Sequence, residues 1–341
     1  MSLYINSINE DEILTSYNFA RNSDIVFSEV VTKDQYKVLQ SNTTEVIEET
    51  ENLVFYFHKK IKVNENDIIF TNSYLVEALF DKLKDLSFYN LKVISSQTDH
   101  SINKKMFNKK PKSVSYWYST NVNYRNHRLK PIPLGLANYY SPKNLFKKDF
   151  QNLELEEKNN SKIYVNFETN TNYFHRNRLK KSISKSQDAF IENETLTLTD
   201  YLIKLNNYKF VLCPWGNGLD THRIWETLYA GSYPIIPYHF SFEKIFKDDN
   251  LLFNQINTLD IKKLNRDFDN QIKSKTEILN INYWIEKIRN SNEKLNNDDV
   301  KEINFSYNNI IKFYNKKKKT EFQLKKIYTF LRKIHNKLFN K

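Results

Sequence analysis

One cysteine, four glycines, seven prolines and two methionines in 341 residues put several architectures out of reach. A lone thiol, Cys213, cannot form an intramolecular disulfide, and no cysteine-based zinc site can be built from it. No apolar run approaches the roughly 20 residues that a membrane-spanning helix needs. The first residues, Met1 to Asn6, lack the basic stretch and apolar core of a signal peptide. The expected setting is therefore reducing and cytoplasmic, with the protein soluble or peripheral on the inner face of a membrane. The seven histidines show no metal-ligand spacing, and no cofactor is expected.

What is present is aromatic and basic. Hydrophobic residues make up 40% of the chain and aromatics 15%, enough for the cores of two ordinary domains. The formal net charge is +12. Residues 312–341 hold eleven lysines and arginines against one acid, Glu321, so that +10 sits in the tail and +2 in the remaining 311 residues. A nucleic-acid-binding protein would interleave basic and aromatic residues over its body. This body is nearly neutral, and nucleic acid is not an expected partner.

Short runs rich in Val, Ile, Phe and Tyr (24–31, 53–58, 67–72 and 91–97) alternate with stretches of helical spacing such as 75–83. The prolines in 131–136 mark a further extended segment. The polar stretch 147–161 reads as a linker. The alternation then restarts, with strands at 162–167, 210–213 and 233–237 and helices at 176–185, 198–208 and 221–229. Alternating strands and helices argue for α/β halves with mainly parallel sheets. The expected organisation is an α/β domain over 1–150, a second over 151–295, and a helical, basic C-terminal segment over 296–341, with a ligand cleft between the first two.

Three of the four glycines, Gly216, Gly218 and Gly231, lie within sixteen positions. In a chain this poor in glycine, the cluster marks a backbone that turns sharply or approaches something closely. The strand 210–213 ends at Pro214, the loop Gly216-Asn217-Gly218 follows, and a helix starts with Asp220 or Thr221 as its N-cap. Free amides and the positive dipole end of such a helix suit a phosphate. His222, Arg223 and Glu226 share one face of that helix. Arg223 is placed to neutralise a diphosphate and Glu226 to accept hydrogen bonds from a ribose diol. Trp215 and Trp225 are candidates to flank the ligand, Trp225 equally a core residue.

This segment resembles the donor-site signature of exostosin-like glycosyltransferases of the GT-B type. Phe210, Leu212, Pro214, Gly216, Asp220, Arg223, Glu226, Leu228, Gly231, Pro234 and Ile236 stand at the signature positions, over about 27 residues, and Thr227 replaces the usual alanine. The resemblance implies two Rossmann-like domains facing a central cleft and a nucleoside-diphosphate-sugar donor held by the second domain. It further implies transfer to a hydroxyl of a glycan or lipid-linked acceptor, inverting and without a divalent metal. A fucosyltransferase-like GT-B enzyme using a GDP-sugar is the nearest alternative among enzymes.

Three further features bear on function. Asp99 and His100, at the end of the strand 91–97, are candidates for the general base that takes the acceptor proton. Arg178, with Arg176 second, is expected as a further phosphate contact. Asp267-Phe268-Asp269 has a metal-binding spacing but sits in a polar stretch and reads as surface charge. In the tail, Leu324, Ile327, Tyr328, Leu331, Ile334 and Leu338 recur at helical spacing among lysines. That pattern fits either an anionic membrane surface or a terminal helix packed on the domains.

Overall fold

The computed structural model describes residues 3–87, 89–138, 144–151, 153, 158, 160–247, 252–255, 260–266, 276–291 and 300–339. The chain is α/β, as its alternation implies. The first sheet contains β1 (Ile25–Thr32), β2 (Thr44–Glu49), β3 (Leu53–His58), β5 (Ile68–Asn72), β6 (Leu91–Ser96), β7 (Val114–Ser119) and β8 (Leu129–Pro131) in the order β2-β3-β1-β5-β6-β7-β8. β1 and β5 to β8 are parallel, while β3 runs antiparallel to both β1 and β2. The inner strands are buried nearly end to end, the pattern of a sheet covered on both faces. The edge strand β2 carries Glu45, Glu48 and Glu49 and stays half exposed, which guards the edge against further pairing.

The second sheet holds β9 (Asn160–Val165), β10 (Ala189–Ile191), β11 (Tyr208–Leu212), β12 (Tyr233–Pro237) and β13 (Leu252–Phe253), all parallel, in the order β10-β9-β11-β12-β13. The connection leaving β9 runs one way along the sheet and that leaving β11 the other, so the winding reverses between them. In open α/β sheets a ligand crevice lies outside the carboxyl ends of two such strands.

Two segments depart from the expected partition. The stretch 147–161 is not simply a linker: Lys147–Phe150 is a helical turn that buries Phe150. Within the C-terminal segment expected as helical, residues 301–304 form a strand, β14 (Lys301–Asn304), which pairs antiparallel with β4 (Lys60–Val63) beside the first sheet. Phe305 then packs on Phe27 with ring centroids 4.3 Å apart. The helix Tyr307–Phe339 follows. It buries Ile310 and Tyr314 against the first half and, farther along, lays Arg332 4.9 Å over the ring of Tyr173 in the second. At the other end of the chain, Leu3, Ile5, Ile13 and Leu14 join the apolar cluster that contains the second sheet. Each terminus therefore packs across to the other half. Asp267, Phe268 and Asp269 lie outside the described residues.

Candidate functional site

A cavity of about 620 Å³ opens at the carboxyl ends of β9 and β11, where the winding reverses. Asn166, Glu168, Arg176, Tyr201, Gly216 to Gly218, Asp220 to Arg223 and Glu226 line it from the second half; Gln97, Thr98, Asp99 and Leu134 line it from the first.

The glycine loop is built as its sequence suggests. After β11 the Gly216 amide donates to the Gly218 carbonyl at 3.0 Å and closes a tight turn. The close approach that excludes a side chain at Gly218 is to the protein itself. A Cβ there would stand 2.7 Å from Asn121 Oδ1. Asn121 is held in turn, its Oδ1 accepting from the Asp220 amide and its Nδ2 donating to the Thr98 carbonyl, each at 3.0 Å. Gly218 is thus demanded by the meeting of the two halves.

The helix His222–Tyr229 starts at the cavity, with Thr221 in the N-cap position but making no side-chain capping bond. Ile224, Trp225 and Leu228 are buried, which makes Trp225 a core residue rather than a flank of the ligand. The positive φ of Gly231 (+68°) turns the chain out of the helix into β12. Asp220 is a latch. Its Oδ2 accepts from the Leu134 amide of the first half at 2.8 Å and its Oδ1 from Trp225 Nε1 at 2.9 Å. Burial pushes its carboxyl up to about 7 against these donors. His222 makes a second tie, Nδ1–H donating to the Gly135 carbonyl at 2.8 Å, with its ring on the cavity wall.

Glu226 is buried, with both oxygens engaged: Oε1 accepts from the Leu145 amide and Oε2 from the Tyr201 hydroxyl, each at 3.1 Å. Its task in the fold is internal, and only the remaining lone pairs of its oxygens are left over. Arg223 lies 5.1 Å over the Tyr201 ring. Among the described residues, Arg223 Nη1, Thr221 Oγ1 and Trp215 Nε1 are buried without a hydrogen-bond partner. Buried polar atoms of native proteins are nearly always paired, and two of these three, on Thr221 and Arg223, belong to residues of the cavity wall, where a polar ligand would supply the missing partners.

Arg176 reaches the same loop. Its Nε donates to the Trp215 carbonyl at 2.8 Å and its Nη1 to the Glu168 carbonyl at 2.9 Å. Burial and the neighbouring Arg223 lower its pKa to about 10. Two guanidinium groups brought this close are relieved by an anion between them.

The structure separates residues that the sequence had grouped. Arg178 is exposed and does not line the cavity, whereas Arg176 does. Two residues along a helix is a turn of about 200°, and Tyr173, Leu179 and Ile183 bury the side that carries Arg176. Asp99 and His100 separate as well. Asp99 is on the cavity wall, while His100 turns towards the C-terminal helix, 3.8 Å from Glu321 and edge-on to Tyr74. Asn217 lines the cavity and is exposed. Sequence reasoning did not single out Tyr201, Gln97 or Asn121. Gln97 exchanges two hydrogen bonds with the Val30 backbone, fixing the loop that carries Asp99.

Among the described residues no group of three or more His, Cys, Asp or Glu is placed to hold a metal ion. No described helix is long and apolar enough to cross a membrane. Comparison with protein-family models and with curated proteins finds no match for the chain.

Proposed function

We propose that this protein is a glycosyltransferase of the GT-B, exostosin-like kind, moving a sugar from a nucleoside-diphosphate-sugar to a hydroxyl of a glycan or lipid-linked acceptor. The observation that carries the reading is the pair of unpartnered buried polar atoms, Arg223 Nη1 and Thr221 Oγ1, on two residues of the cavity wall beside the glycine loop at the β9/β11 crevice.

In this reading the diphosphate lies against the start of the helix His222–Tyr229, between Arg223 and Arg176. As the bond from the anomeric carbon to the diphosphate oxygen breaks, negative charge grows on the leaving group, and the two guanidinium groups stabilise it without a divalent metal. The acceptor oxygen attacks the anomeric carbon from the opposite face, which inverts it, and its proton passes to Asp99, the carboxylate of the first half on the cavity wall. Glu226 and Tyr201 hold Arg223 in place and offer the ribose what hydrogen-bonding capacity remains.

A thermal-shift comparison of wild type and Arg223→Gln with UDP, GDP, CDP, TDP and UMP, without added metal, tests this. A diphosphate at about 100 times its dissociation constant stabilises a single site by about 2.7 kcal/mol. Stabilisation of wild type by one diphosphate, lost in the variant, is expected. Equal stabilisation of both proteins, or none by any nucleotide, overturns the proposal.

A further inference from the structure

We infer that the outer face of the C-terminal helix, from Leu324 to Ile334, docks on an anionic membrane surface. The helix Tyr307–Phe339 has three distinct sides. One is docked: Ile310 and Tyr314 are buried, Lys317 pairs with Glu77, Tyr74 donates to Glu321, and the Tyr328 hydroxyl accepts from the Tyr173 amide. The second is apolar and uncovered. Leu324 is 61% exposed, Ile327 57%, Phe330 63%, Leu331 48% and Ile334 39%. At about 100° per residue these five side chains fall within an arc of about 120°. The third side, bordering the apolar stripe, carries Lys319, Lys326 and Lys333, seven residues apart and all exposed.

Five large apolar side chains exposed within eleven residues of one helix call for a covering surface. The charges around them say which. From 312 to 334 the only acid is Glu321, already engaged by Tyr74 and Lys325. A second copy of the helix would bring the same lysine border and no carboxylate to meet it. Anionic lipid supplies the complement: the apolar stripe enters the interface while the lysines reach the headgroups. The helix also runs beside the cavity. It meets His100, next to the wall residue Asp99, and Tyr173, on the helix that bears Arg176. On the glycosyltransferase reading, a helix so docked holds the protein at the surface that carries a lipid-linked acceptor.

The test uses the full chain in vesicle sedimentation, with phosphatidylcholine alone and with phosphatidylglycerol added. Wild type is expected to bind the anionic vesicles at least about tenfold more strongly than the neutral ones. Ile327→Glu with Leu331→Glu, and Lys319→Glu with Lys326→Glu and Lys333→Glu, are each expected to lose about tenfold or more of that binding. All five side chains are exposed, so both variants should keep the wild-type melting temperature. No binding to anionic vesicles, equal binding to both kinds, or unchanged binding by the Ile327/Leu331 variant overturns the inference. So does a wild-type dimer that binds no vesicles and that the same variant converts to monomer, which would give the stripe to a second copy. These readouts need no nucleotide or transfer activity, so their failure is separate from that of the enzymatic proposal.

Discussion

Replacing Glu226 separates its internal task from any role towards a ligand. Its oxygens accept from a backbone amide, Leu145, and a hydroxyl, Tyr201, both in the buried wall between the halves. Glu226→Ala leaves both donors buried without an acceptor, at about 1–3 kcal/mol each. It also removes the carboxylate beside Arg223, whose guanidinium rests on Tyr201. Together these losses amount to about 3–5 kcal/mol. At about 2–4 °C per kcal/mol for a unit the size of either half, the melting temperature falls by roughly 6–20 °C. Glu226→Gln keeps an oxygen for Leu145 and an amide that donates to the Tyr201 oxygen, so it loses mainly charge and costs about 1–2 kcal/mol. Scanning calorimetry of the three proteins without nucleotide measures the difference. An alanine variant within about 1 kcal/mol of wild type would refute the reasoning, because the two donors would then have found other partners. The glutamine variant, nearly intact, is the right protein in which to ask whether nucleotide affinity also falls.

Two further outcomes follow from the placement of single groups. Asp99→Asn should lower kcat by about 10²–10⁴ with little change in donor KM, whereas His100→Ala, turned away from the cavity, should stay within about threefold of wild type; steady-state kinetics with an identified donor decide this, and equal losses would overturn the assignment of the base. Asp220 keeps its proton in the folded protein up to about pH 7 and releases it near its ordinary carboxyl value when unfolded. Its stabilising contribution is therefore complete below about pH 4 and is lost as pH rises through about 7, a span of up to about 4 kcal/mol. Urea unfolding at a series of pH values should show wild-type stability falling relative to Asp220→Asn from about pH 4 to about pH 8; parallel curves would contradict it.

Much of the site was legible because it is local. The glycines at 216, 218 and 231, the helix of 222–229 and the strands around it follow from turn chemistry and period, and the structure forms them within a residue or two. Helical phase would also have chosen Arg176 over Arg178, since Tyr173, Leu179 and Ile183 already mark the buried side. Other features left no local trace. Tyr201 occupies an ordinary amphipathic helix, and nothing near it in sequence announces that its hydroxyl meets Glu226, 25 residues away. Gly218 looked like a phosphate-loop glycine, yet its missing side chain makes room for Asn121, which lies 97 positions earlier.

Local chemistry thus determined the α/β alternation, the basic tail and the loop most suited to a phosphate, for these depend on side-chain spacing and backbone freedom along a few turns of chain. Tertiary structure alone decided which polar groups the protein pairs internally and which stay unpaired. Asp220 and His222 tie the halves together, Glu226 serves Leu145 and Tyr201, and Arg223 keeps a buried nitrogen unpaired. Hydrogen-bond partners are settled by proximity in space, and most of those proximities join residues 80 or more positions apart.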